Sequence, residues 1–96
     1  MIKIDIYNNA VEINGHANQE ICYQVSIASF ILANAMGDLG ERVSHEAQDN
    51  TGYTKIVFNI TYDTQLLRNS YERDMRLWFG DFYSNDVIIN RIDNEV

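Results

Sequence analysis

A chain of 96 residues with 46% hydrophobic and 22% charged residues has the composition of an ordinary globular protein, which points to one domain spanning residues 1–96 and away from long-range disorder. Seven Lys and Arg against fourteen Asp and Glu leave a formal charge of −7, which excludes the basic stripe that nucleic acid demands and disfavours an anionic membrane surface. A single cysteine excludes an intrachain disulfide framework and fits a reducing, cytoplasmic setting.

In chain order, Ile2, Ile4 and Ile6 alternate with Lys3, Asp5 and Tyr7, the pattern of a half-buried strand rather than of a secretory leader. Asn8-Asn9 signals a turn, and Val11 and Ile13 resume the alternation, so the first two strands read as a hairpin. From Ile21 the period lengthens. Ile21, Val25, Ala28, Leu32 and Ala35 share one helical face, and Ile27, Phe30 and Ile31 widen it, which predicts a helix over residues 21–36 buried on much of its girth and stopped by Gly37 and Gly40. Gln24, Ser26, Ser29 and Asn34 interrupt that stretch, which is too short and polar to span a bilayer.

Val43, His45 and Ala47 alternate in a third strand, Asp49-Asn50-Thr51-Gly52 reads as a turn, and Ile56, Phe58 and Ile60 mark one face of a fourth strand. Asp63 or Thr64 can cap a second helix over residues 64–82, with Leu67, Tyr71, Met75, Trp78 and Phe82 on its apolar side. Glu72 and Arg76 are spaced as an exposed ion pair. After Ser84-Asn85-Asp86, Val87-Ile88-Ile89 forms a last short strand, and the polar tail beyond Arg91 reads as frayed. The order is ββαββαβ, an α+β fold with two helices packed on one mostly antiparallel sheet.

Chemistry concentrates near the start of the first helix. Five residues separate His16 from Cys22, a reach of up to ~20 Å if extended that a loop easily folds back to hydrogen-bond distance. Asn18 can cap the helix, which puts Cys22 in its first turn or so, where partial positive charge favours thiolate. His16 can then take the thiol proton and return it to a leaving amine, and free amides of that turn, including that of Cys22, can hold an oxyanion. Ser26, one turn on, either supports the sulfur or bonds a carbonyl one turn back, and Gly15 precedes the histidine. Against this stands the cysteine's common role as a small buried hydrophobe. His45 shares parity with Val43 and Ala47 and reads as structural. A metal site from His16, Cys22, His45 and a carboxylate lacks paired ligand spacing, so neither a metal nor a cofactor is expected.

Gly15-His16-Ala17, Ile21-Cys22 and Ser26 four residues on resemble the Prp family of ribosomal-processing cysteine proteases. In that family a strand ends in Gly-His-Ala, and a helix opens near a cysteine followed by serine four residues later. In outline the resemblance runs through nearly the whole chain: the element order, the helix end at Met36-Gly37, the acidic hairpin around residues 46–53 and Tyr83 before the last strand. It implies a Cys–His dyad of Cys22 and His16, with Gly15 and Ser26 in support. It also implies a homodimer, and a protein substrate that loses a terminal segment: a ribosomal protein, or for phage-encoded members a capsid or scaffold protein. The family's segment between histidine and cysteine is longer and contains glycine, whereas here it is residues 17–21, and Tyr23 follows the cysteine where alanine is usual. The rival expectation is an inactive dimeric protein-binding module of the same fold. The acidic balance mainly confers solubility, with a basic partner peptide as its sharper consequence.

Overall fold

The computed structural model describes residues 1–48 and 51–96, with every side chain among these except those of Asp81 and Phe82. Five strands form one sheet: β1 (Ile2–Ile6), β2 (Ala10–Gly15), β3 (Val43–Gln48), β4 (Tyr53–Phe58) and β5 (Val87–Arg91), with helices α1 (Gln19–Asp38) and α2 (Tyr62–Phe82) between them. The order across the sheet is β3-β4-β2-β1-β5. All neighbours are antiparallel except β1 and β5, whose parallel pairing is permitted by the crossover through α2. The fold is therefore α+β in the expected order.

The strand parity sets the core. Ile2, Ile4 and Ile6 of β1 face Val11 and Ile13 of β2, Ile56 and Phe58 of β4, and Val87 of β5. The helices close over this layer with Ile21, Val25, Leu32 and Met36 from α1 and Tyr71, Met75 and Phe79 from α2. Two sequence expectations change here. Ile27, Phe30 and Ile31 do not extend the buried face of α1; each is more than half exposed. On α2 the core ring is Phe79, 1% exposed, while Trp78 lies outside at 58%. A helix buries one stripe only, so an apolar residue off that stripe stays in solvent unless another molecule covers it. The side chain of Phe82 and the turn residues Asp49 and Asn50 lie outside the described residues.

The ends of the elements also differ in detail. Gly37 continues α1, and the chain leaves the helix at Leu39 and Gly40. Thr61, not Asp63 or Thr64, caps α2. Thr64 is instead the third residue of a capping box: its Oγ1 accepts from the Thr61 amide at 2.9 Å and donates to the Asn59 carbonyl at 2.6 Å. Ile60 lies past the end of β4 and is half exposed. The polar tail is tied down, with Ile92 donating to the Ile6 carbonyl and Asn8 donating to that of Asn94.

Polar side chains fasten α2 to the far end of the sheet. Arg68 is buried and donates to the carbonyl and side-chain oxygens of Asn8, and Gln65 donates to the same carbonyl. Glu72 accepts from Arg76 one turn on and from Arg91 of β5. Burial alone would push the Glu72 carboxyl up, but its bonds to Arg91 and Arg76 outweigh that and hold it below its ordinary value.

Thr64 is fully buried, so its hydroxyl has no water to fall back on. Thr64→Val keeps the shape and strands the Thr61 amide and the Asn59 carbonyl. It should lower stability by about 1–3 kcal/mol in urea unfolding followed by circular dichroism. A change below about 0.5 kcal/mol would show that these groups find other partners.

Candidate active site

The site is assembled where β2 hands the chain to α1. Gly15 ends β2 opposite Ile2, and a Cβ at that position would sit 2.1 Å from the Met1 carbonyl oxygen. Only glycine lets the two strands close there. The Gly15 amide donates to the Gly52 carbonyl at 3.1 Å, which draws the tip of the β3–β4 hairpin against the end of β2. His16 follows with an exposed side chain, its ring lying against Gly52.

Asn18 then caps α1. Its backbone is extended, and its side-chain oxygen accepts from the Ile21 amide at 3.0 Å. Cys22 is the fourth residue of the helix, and its amide closes the first turn by donating to the Asn18 carbonyl at 3.0 Å. That amide is therefore not free, contrary to the sequence expectation. Of the first-turn amides without an intrahelical carbonyl, that of Ile21 is taken by the Asn18 side chain, which leaves those of Gln19 and Glu20.

The half-buried thiol of Cys22 turns back onto the loop. The Ala17 amide donates to Sγ at 3.4 Å, and the Ala17 carbonyl lies 3.5 Å from the same sulfur. No hydrogen bond joins Cys22 to His16 among the described residues. Ser26 is exposed one turn further on, whereas the bond back to the previous turn is made by Ser29, whose hydroxyl donates to the Val25 carbonyl at 2.9 Å.

Gly15, His16, Cys22 and Ser26 all line one cleft of about 420 Å³. Its floor is apolar, from Ile2, Ile13 and Val25. Tyr23 stands at its α1 edge, and Gln48, Gly52, Tyr53 and Thr54 of the β3–β4 hairpin form the opposite wall. The hairpin wall was not picked out from sequence. The alternation through Ile56 and Phe58 puts Thr54 on the helix-facing side, but its neighbour Ile13 follows only from the pairing of β2 with β4, which local periodicity does not encode. His45 belongs elsewhere: it is half-buried with its ring 4.9 Å from that of Phe30, edge to face. Among the described residues no three His, Cys, Asp or Glu side chains gather as a metal site.

An apolar-floored cleft with a thiol at a helix start, an imidazole on its rim and an open end can take an extended peptide. No family model matches the sequence, and no curated protein does. Solved structures do match. The essential ribosomal processing protease Prp from S. aureus, in complex with a covalently linked product peptide, has a TM-score of 0.82 at 25% identity, over 96% of this chain and 100% of that one. The same protease in complex with a substrate peptide has a TM-score of 0.81 at 21% identity, with the same coverage. A protein from Streptococcus mutans has a TM-score of 0.77 at 23% identity, over 98% of this chain and 99% of that one.

The chain is Prp-like.

The likeness to Prp covers the whole ββαββαβ order and supports a processing-protease role. Among the described residues no helix is long and apolar enough to cross a membrane.

Proposed function

We propose that this chain is a cysteine endopeptidase that removes a terminal segment from a specific protein, with Cys22 as nucleophile and His16 as its base. The observation that carries the reading is the meeting of Gly15, His16, Cys22 and Ser26 on one cleft, in a chain whose fold matches Prp with a peptide covalently linked. Two candidate substrates follow from the resemblance: a ribosomal protein, as the name of the S. aureus relative suggests, and a phage capsid or scaffold protein.

In the reaction His16 takes the Cys22 proton as sulfur attacks the scissile carbonyl carbon. The carbonyl oxygen becomes an oxyanion, for which the amides of Gln19 and Glu20 at the positive end of α1 are the available donors. The intermediate collapses with cleavage of the C–N bond, and His16 protonates the departing amine. Water, deprotonated by His16, then hydrolyses the thioester and restores the thiol. Because the Cys22 amide is used inside the helix, oxyanion binding falls to residues ahead of the cysteine. The Ala17 contacts keep the sulfur at the loop until substrate enters, in keeping with catalytic hydrogen bonds that tighten only in the complex.

The active form is a homodimer. Ile27 and Ile31 on α1 and Leu77 and Trp78 on α2 are each more than half exposed, and the Trp78 indole donates to Gln24 at 2.6 Å, so the two helices present their outer apolar side chains together. A small protein with this much uncovered apolar surface gains by burying it against a second copy.

Coexpression with candidate substrates, read by mass measurement of their termini, tests the protease reading. Cys22→Ala should abolish trimming with the fold intact, His16→Ala should slow it about 10²–10⁴-fold, and Ser26→Ala should lie between these and wild type. If Cys22→Ala trims as wild type does, or wild type trims nothing, the protease reading fails and the binding-module reading replaces it. Sedimentation equilibrium should give a dimer mass for wild type and a monomer mass for Trp78→Glu; a wild-type monomer at high concentration would refute the dimer.

A further inference from the structure

We infer that Gly52, at the tip of the β3–β4 hairpin, is a positioning residue for the His16 imidazole. The inference rests on the reading of His16 as the base and adds a residue that neither the sequence motif nor the cysteine segment contains.

Three observations carry it. First, Gly52 adopts φ +65°, a left-handed conformation that residues with a Cβ rarely hold. Second, a Cβ at Gly52 would lie 2.3 Å from the Gly15 carbonyl oxygen and 2.9 Å from Cε1 of His16. The backbone contact has no flexible end to give way, so the added atom must push the hairpin off β2 or move the histidine. Third, the Gly15 amide donates to the Gly52 carbonyl at 3.1 Å, so the hairpin tip is fastened to the residue immediately before His16. One face of the imidazole edge is thus defined by a bare backbone. A general base must be held within a fraction of an ångström of its productive place, and a group displaced by about 1 Å can lose ~10²-fold in rate.

The chain contains its own control. Gly40 lies at φ +80°, also left-handed, but a Cβ there meets nothing within 4 Å, and Gly40 does not line the cleft. Alanine at either position carries the same kind of backbone penalty; only at Gly52 does it strike a site residue.

The test uses iodoacetamide as a probe of Cys22, so no substrate is needed, together with proton NMR of the wild-type chain. In wild type the Hε1 proton of His16 should show a cross-relaxation peak to the Hα protons of Gly52; its absence overturns the inference without any variant. Gly52→Ala should slow alkylation about tenfold, to the His16→Ala rate, with no further loss in the double variant, while Gly40→Ala stays within about twofold of wild type. Against a cleaved peptide, Gly52→Ala should lower kcat with KM little changed. Alkylation of Gly52→Ala at the wild-type rate, or an equal loss in Gly40→Ala, would reduce Gly52 to a general structural role and sink the inference. If His16→Ala itself leaves alkylation unchanged, it is the base reading that fails; the wild-type cross-peak then still reports whether the contact exists.

Discussion

Only residues 16–18 carry the chain from the end of β2 to the start of α1, and the candidate chemistry depends on that short passage. Such a passage allows no slack. Gly15 is held between Ile2 of β1 and Gly52 of the hairpin, so the chain leaves the sheet at a fixed point. Asn18 caps the helix, so the chain enters α1 at another fixed point. Between them Ala17 is close enough to touch the Cys22 sulfur with both its amide and its carbonyl. The positions of Cys22 and His16, the proposed nucleophile and base, are thereby set by backbone hydrogen bonds more than by contacts of their own side chains. Preorganised geometry of that kind is what covalent catalysis requires.

The two ends of the sheet divide the labour. At the end remote from the cleft, the Asn8-Asn9 turn collects Arg68, Gln65 and the backbone of the tail, and α2 is joined to β5 through Glu72 and Arg91. Arg68 is buried there with no carboxylate among the described residues in hydrogen-bond contact; burial and the nearby Arg91 both lower its pKa. Such charge is tolerated because neutral oxygens of Asn8 and Asn69 accept its protons. At the cleft end the surface opens between α1 and the β3–β4 hairpin.

Much of this was legible in the sequence, for reasons that individual residues make plain. The switch of apolar period from two at Ile2, Ile4 and Ile6 to nearly four at Ile21 and Val25 announces strand and helix because those periods follow directly from backbone geometry. The order of elements, and the presence of His16 and Cys22 on either side of a helix start, are local features and could be read; that both line one cleft is what the structure adds. Most of what failed was non-local. Ile27, Phe30 and Ile31 are apolar and helical, yet nothing in their spacing says that no second layer covers them within the chain. Trp78 and Phe79 are adjacent aromatics, and only the packing angle of α2 decides which is inside. One miss was local: an Asn18 cap starts the helix at Gln19 and makes Cys22 its fourth residue, whose amide bonds the Asn18 carbonyl and so is not free. The hairpin wall depends on β4 lying beside β2, a pairing across some forty residues that periodicity does not encode.

The central claim is that Cys22 forms the covalent intermediate inside this cleft. Its most direct test is intact-mass spectrometry of the protein acid-quenched within the first turnover of a peptide it cleaves, followed by digestion to locate the modified residue. The account predicts a single adduct with the mass of the acyl half of the peptide, carried on the Cys22 side chain when the digested fragment is sequenced by fragmentation. Turnover with no adduct, or an adduct on the neighbouring Ser26, would contradict it.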